Sequence, residues 1–140
     1  MREMIDLKVG DVLEGNSITV TEYHLLGFAG ITGDYNRLHV DELFARTTLF
    51  NGRIAHGLLL LSLGVGLVFY FIDGYFLYGF DKVRFLEPVR LGDTVSSKLI
   101  VNNIVEREKY SLYHCELQVI NNRTTEAVVA TIILGREKIK

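Results

Sequence analysis

The sequence predicts an α+β domain in which one antiparallel sheet wraps around one long apolar helix. Three observations carry this. Residues 58–72 hold no charged side chain and are nearly all apolar. The segments after them alternate apolar and polar residues, the period of half-buried strands. No linker, repeat or shift in composition divides residues 1–140, so helix and strands belong to a single domain. A helix that is apolar all round must be covered on every side, and a sheet curled about it is the simplest cover.

The elements follow in order. Ile18 and Val20 alternate with polar residues and indicate a short strand. Thr21 then caps a helix with Glu22 in its first turn and apolar residues at Leu25, Leu26, Phe28, Ala29 and Ile31. Gly33 can end that helix in the left-handed conformation. A loop is expected over 34–40, and Asp41 can cap a short helix through Leu43, Phe44 and Ala45. Gly52 and Gly57 bracket the start of the apolar helix, and Asp73-Gly74 stops it. Residues 75–85 are aromatic and β-branched, with Val83 and Phe85 on one face. Glu87-Pro88 and Leu91-Gly92-Asp93 punctuate the chain before the next strand. Val95, Ser97, Leu99 and Val101 share one strand face, as do Tyr113, Cys115, Leu117 and Val119. Asn121-Asn122-Arg123-Thr124 reads as a hairpin turn. Residues 127–134 are apolar on both faces, which predicts a central strand covered twice. The strands after the helix should form an antiparallel meander of about four.

Composition excludes several classes of protein. With 49% hydrophobic and 23% charged residues the chain is not globally disordered. The 15 basic and 17 acidic side chains leave a net charge of −2, so no nucleic-acid surface is expected. Residues 54–72 approach the length of about 20 that crosses a bilayer. His56 and Ser62 are polar, Gly64 and Gly66 weaken the helix, and Asp73 follows at once, so no membrane span is expected. Cys115 is the single cysteine and cannot form an intramolecular disulfide, which fits a reducing, cytoplasmic compartment. The start at Met1-Arg2-Glu3-Met4 lacks a secretory pattern, and Lys138-Ile139-Lys140 is not a peroxisomal address.

The polar chemistry gathers in one window. Asp34, Asn36 and His39 follow a helix end, on a loop that a rigid scaffold can hold. A carboxylate and an imidazole that meet can hold and deprotonate a water near neutral pH. Asn36 could orient that water through its amide. Ala55-His56-Gly57 opens the apolar helix, whose first turn carries free N–H groups and positive dipole character. Gly57 has no side chain, so an acyl oxygen can approach its N–H closely. A base, a water-holder and an electrophilic donor point to adding or removing water beside a carbonyl.

This window resembles that of the MaoC-like dehydratases, or R-specific enoyl-CoA hydratases, which have a hot-dog fold. Their motif runs Asp-x-Asn-Pro-x-His, followed downstream by Ala-His-Gly or a similar tripeptide. Asp34, Asn36, His39 and Ala55-His56-Gly57 stand here in that order and spacing. Val9-Gly10-Asp11, Ser62, Phe85-Leu86-Glu87-Pro88-Val89 and Gly92-Asp93 extend the resemblance over the chain. It implies that Asp34 and His39 activate water for attack on C3 of a trans-2-enoyl thioester, with Asn36 helping to hold that water. The Gly57 N–H would bind the thioester oxygen, and the product would be an R-3-hydroxyacyl thioester. Ala55, His56, Ser62, Arg37 and Arg84 are the expected substrate-binding residues. The resemblance further implies a homodimer acting on acyl-CoA or an acyl carrier protein thioester, with no cofactor or metal. It departs at Arg37, where the family usually has proline. Arginine frees the loop and sets a charge near Asp34, or else points outward to a CoA phosphate.

Blander readings stand beside these. Asp34 alone could simply terminate a helix, and His39 alone would be an ordinary loop histidine. The plainer role for His56 is to fix the helix start, and for the Ser62 hydroxyl to bond the carbonyl one turn back. Cys115 reads as a small buried hydrophobe. Asp34, His39, Asp41 and His56 are metal-ligand types without H-x-x-x-H or C-x-x-C spacing. Lys82, Arg84 and Arg90 flank the acyl-CoA region as solvated charges or phosphate contacts. Two functional alternatives remain: an acyl-CoA-binding module without turnover, and a thioesterase that attacks the carbonyl.

Overall fold

Gly33 adopts φ 81° and its N–H closes on the carbonyl of Ala29 at 2.8 Å, ending helix α1 (Glu22–Thr32). This is seen in a computed structural model that describes residues 5–138 of the chain. The expectations drawn from residues 1–4 and 139–140 lie outside the described residues. At the other end of α1 the Thr21 N–H donates to Nδ1 of His24 at 2.9 Å, a role for His24 that spacing did not suggest. Residues 37–40 are not loop but a helical turn, α2 (Arg37–Val40). Asn36 starts it by accepting from the Leu38 N–H at 3.0 Å. Asp41 caps α3 (Glu42–Ala45), as expected, by accepting from the Phe44 N–H at 3.1 Å.

The apolar helix α4 runs Gly57–Phe69, and its last turn tightens into i→i+3 bonds that carry the chain to Ile72. No helix among the described residues is long and apolar enough to cross a membrane. Strands β1 (Val12–Thr19), β2 (Tyr75–Phe85), β3 (Thr94–Glu106), β4 (Tyr110–Asn121) and β5 (Thr125–Glu137) form one sheet ordered β1-β3-β4-β5-β2. Every neighbouring pair is antiparallel. The hot-dog architecture expected from the resemblance is therefore present.

The meander is only part of the topology. β3, β4 and β5 follow each other, and the 121–124 turn joins β4 to β5 with Asn122 and Arg123 at positive φ. β2 instead pairs with β5 at the far edge. Residues 86–93 then cross from that edge towards β3, and the buried Val89 accepts from the Ala55 N–H at 2.7 Å beside the start of α4. A sheet that must enclose a helix needs an edge on either side of it, and this crossover supplies the second one. β1 is also longer than its apolar signal. It is a mostly polar edge strand whose bulge at 14–17 accommodates Gly15 beneath Leu67 of α4.

The helix backbone meets side chains of the sheet. A Cβ on Gly64 would lie 2.5 Å from Cγ2 of Val119, so α4 sits directly on β4 there. Leu59, Leu60, Leu61 and Val68 pack from the helix against Leu99, Leu117, Ile132 and Leu134. The second cover expected for residues 127–134 is partial. Val128, Ala130, Ile132 and Leu134 are buried under α4; on the other face Ile133 is buried as well, while Val129 and Thr131 are half-buried.

Gly64→Ala should destabilise the fold through overpacking, whereas the open space at Gly66 should let Gly66→Ala take the helix-propensity gain. Denaturant unfolding is expected to rank Gly66→Ala above Gly64→Ala by about 1–3 kcal/mol.

Candidate functional site

Local hydrogen bonds present Asp34 before any tertiary contact is made. Thr32 Oγ1 donates to the Phe28 carbonyl at 2.7 Å and accepts from the Asp34 N–H at 3.1 Å. Asp34 Oδ1 in turn accepts from the Asn36 N–H at 3.2 Å. These short turns hold the chain between the end of α1 and the start of α2. His39 then emerges from α2 into the interior and is buried.

A carbonyl sets the protonation of His39. Its Nδ1 lies 2.8 Å from the carbonyl oxygen of Ile54, which can only accept. Nδ1 therefore carries the hydrogen, and Nε2 of the neutral ring is a bare lone pair, the form a general base needs. His56 shows the mirror arrangement. It is 2% exposed at the N-cap of α4, and its Nε2 donates to the main-chain carbonyl of Asp34 at 3.1 Å. Its Nδ1 is buried with no protein partner. The two rings stack with centroids 3.9 Å apart at 26°, and Phe28 lies against His56 at 5.0 Å. Burial pushes the His56 pKa down, opposed by the Asp34 carbonyl, reinforced by His39 and opposed again by the Asp34 charge.

A cavity of about 380 Å³ opens in front of these groups, lined by Asp34, His39, Phe50, Leu58, Phe85 and Pro88 among others. Ala55, His56 and Gly57 also line it. A Cβ on Gly57 would stand 2.9 Å from the Phe85 ring, so only glycine lets that ring close over the first turn of α4. The first-turn N–H groups of α4 have no acceptor within the helix. One cavity thus holds a carboxylate, an imidazole lone pair and a helix N-terminus, with apolar walls that strengthen each charge interaction.

Ligand atoms of Asp34, His39 and His56 lie within 4.8 Å of one another, the spacing of a metal site. The geometry of the rings does not suit one. Stacked imidazoles direct their in-plane lone pairs along nearly parallel planes, whereas a shared ion needs both planes to meet at it.

Other expected residues fall outside the cavity lining. Asn36 spends its Oδ1 on the α2 cap. Arg37 is 64% exposed, reaches Asp41 at 3.2 Å and covers the Phe44 ring at 4.2 Å, so its charge is paired away from Asp34. Ser62 donates to the Leu58 carbonyl at 2.7 Å on the exposed face of α4. Arg84 pairs with Val129 on the sheet face opposite Phe85, exposed and away from the pocket. Arg90 turns inward and donates to the Phe50 carbonyl. Cys115 is buried, and burial pushes its thiol up to about 12, so it is inert at neutral pH. Phe50 and Leu58 line the cavity unannounced. No motif marked them, although Leu58 follows Gly57 and had to lie close by.

A sheet curled around a central helix, with a carboxylate and an imidazole beside that helix's N-terminus, fits the hot-dog-fold dehydratase class. Residues 6–123 match the MaoC like domain. The chain belongs to the MaoC-like dehydratase family. It is 32% identical over 132 residues to an (R)-specific enoyl-CoA hydratase of Rhodospirillum rubrum, covering 91% of this chain and 85% of that protein. It resembles the structure of a monoamine oxidase regulatory protein from Archaeoglobus fulgidus with TM-score 0.90 and 32% identity, covering 96% and 93% of the two chains. The (R)-hydratase from Aeromonas caviae superposes with TM-score 0.79 at 28% identity, over 91% of this chain and 96% of that one. The chain spans only 29% of the length of the Klebsiella aerogenes protein MaoC, to which it is 34% identical over 99 residues.

The buried His56 makes stability depend on pH. Its folded pKa lies below the ordinary 6.5, so the unfolded chain takes up a proton first. Its contribution is complete above about 6.5 and is lost as pH falls below it, until the folded ring also protonates. Thermal unfolding from pH 8 to 5 should show this loss in the native protein and a flatter profile in His56→Phe.

Proposed function

We propose that this chain adds water across the double bond of a trans-2-enoyl thioester, giving the R-3-hydroxyacyl thioester, and catalyses the reverse dehydration. The observation that carries this reading is that the bare Nε2 of His39 shares one cavity with the Asp34 carboxylate and the start of α4 at Gly57. The names of the R. rubrum and A. caviae relatives support it.

Water held between Asp34 and His39 gives a proton to the pair as its oxygen bonds to C3 of the substrate. The C2–C3 π electrons shift towards the thioester carbonyl, whose oxygen gains charge. The Gly57 N–H and the helix dipole stabilise that charge. The proton then returns to C2, which closes the balance with no oxidant or reductant. Asn36 caps α2 through its Oδ1, which leaves its amide N–H groups as the part that can hold the water, and Arg37 acts outside the cavity. The substrate's own thioester group, on coenzyme A or an acyl carrier protein, is the only non-protein part the step uses. The lone Cys115, buried and reduced, suits a cytoplasmic enzyme.

The proposal includes a homodimer formed through β2. This strand ends the sheet, pairs only with β5 and exposes Phe76, Leu77 and Tyr78. A long apolar edge is a template for pairing with another chain, and a second copy gives it an identical antiparallel partner.

Purified protein mixed with crotonyl-CoA should lose the conjugated double bond without releasing thiol. Asp34→Asn should lower that rate by about 10²–10⁴-fold while keeping its circular dichroism spectrum. Thiol release would instead indicate a thioesterase, and tight binding without turnover a binding module. Sedimentation should give a dimer that Leu77→Lys with Tyr78→Lys converts to monomer. A dimer that survives both changes would place the interface elsewhere.

A further inference from the structure

The strap from Phe50 to His56 touches both members of the acid–base pair. The Ile54 carbonyl holds His39 Nδ1 at 2.8 Å, and the His56 ring holds the Asp34 carbonyl at 3.1 Å. The strap therefore sets where the two reacting side chains stand relative to each other. It has no regular secondary structure of its own, so something must fix it.

Backbone bonds hold parts of it, and Arg53 is the residue of the strap whose side chain anchors it to α1 and α3. Its side chain is only 13% exposed. The guanidinium grips Glu22 with two parallel bonds, Nη1 to Oε1 at 2.6 Å and Nη2 to Oε2 at 2.7 Å. Its Nε and its main-chain N–H both donate to Oε2 of Glu42 at 3.3 Å. Glu42 also accepts from Arg46 at 3.2 Å. Alternating charges thus run Glu22, Arg53, Glu42, Arg46, and they tie the strap to α1 and α3. The hydrogen bonds to Glu22 raise the Arg53 pKa, and Glu22 is lowered in return, so the pair stays charged. The next residue along is Ile54. Its N–H is held by the Leu38 carbonyl at 3.4 Å, and the Ala55 N–H by Val89 at 2.7 Å.

We infer that Arg53, clamped by Glu22 and Glu42, is a positioning residue that fixes the tautomer and aim of His39 through the Ile54 carbonyl. This rests on the hydratase reading given above. Arg53 is not among the residues that line the cavity. Its planar fork matches Glu22 in two bonds, which a lysine cannot reproduce. Loosening the strap lets the Ile54 carbonyl drift, so His39 loses the acceptor that keeps its hydrogen on Nδ1.

The test uses the full chain with Arg53→Lys and Glu22→Gln, each conservative in size. With crotonyl-CoA, kcat should fall by about 10- to 100-fold. KM should stay within about twofold, because the cavity walls are untouched. ¹⁵N NMR of the histidine rings, with His39 assigned by its loss in His39→Gln, should show a smaller Nδ1–H fraction in both variants. Gly64→Ala serves as a control for lost stability alone. It should lower the melting temperature and leave kcat and the His39 tautomer as they were. Unchanged kcat in folded variants, a KM that rises in step with the loss, or an unaltered His39 tautomer would each overturn the inference. If the unmodified protein turns over no enoyl thioester, the hydratase reading fails by itself. The tautomer measurement, which needs no substrate, then still decides the role of Arg53.

Discussion

The N-terminus of α4 is the constraint on which the rest depends. An apolar helix wants to be enclosed, and Gly64 lets the Val119 side chain of the sheet close onto its backbone. Its first turn cannot be enclosed in the same way, because the N–H groups there need acceptors that the helix does not provide. The two demands meet at Gly57. The sheet covers the body of α4, and the polar end opens into a cavity walled by Phe50, Leu58 and Phe85. The site thus lies where the fold's largest apolar element runs out of apolar solutions.

Backbone carbonyls then do the fine work. Two stacked histidine rings offer four ring nitrogens, and each nitrogen's role depends on where the hydrogen sits. The Ile54 carbonyl places it on Nδ1 of His39, and the Asp34 carbonyl places it on Nε2 of His56. Stacking further disfavours charging both rings at once, and burial keeps His56 neutral. The result is an Nε2 without a hydrogen on His39, in the cavity that Asp34 also lines.

The parts legible in the sequence share a local cause. Thr21, Gly33 and Asp41 act on their own turns, and α4 announces itself by composition, so each could be read from neighbours alone. The window of Asp34, His39 and Gly57 was legible as a motif. What stayed hidden depends on partners remote in sequence. β1 is mostly polar because it lies on an edge, so alternation marks it poorly. β2 pairs with β5 because residues 86–93 cross over, and no local pattern encodes a crossover. Residues 127–134 suggested two full covers because apolar composition cannot distinguish a face buried throughout from one buried at Ile133 and half-buried at Val129 and Thr131. The Glu22–Arg53–Glu42 clamp joins residues from three separate segments, and each of them alone looks like a solvated charge.

Arg37 shows how a departure from a family pattern should be weighed by position. It is the first residue of α2, directly after the Asn36 cap. Proline is favoured there because its φ suits a helix start and its missing N–H had no intrahelical partner anyway. Replacing it removes no hydrogen bond from the helix and no group from the cavity. The change acts mainly on the unfolded chain, which gains freedom worth about 0.4–1 kcal/mol. The arginine side chain offsets part of this by pairing with Asp41 and lying over Phe44, one turn further along. Preorganisation of the Asp34–His39 segment, set in the family by a fixed backbone angle, is supplied here by side-chain contacts to α3 and by the carbonyls of the 50–56 strap.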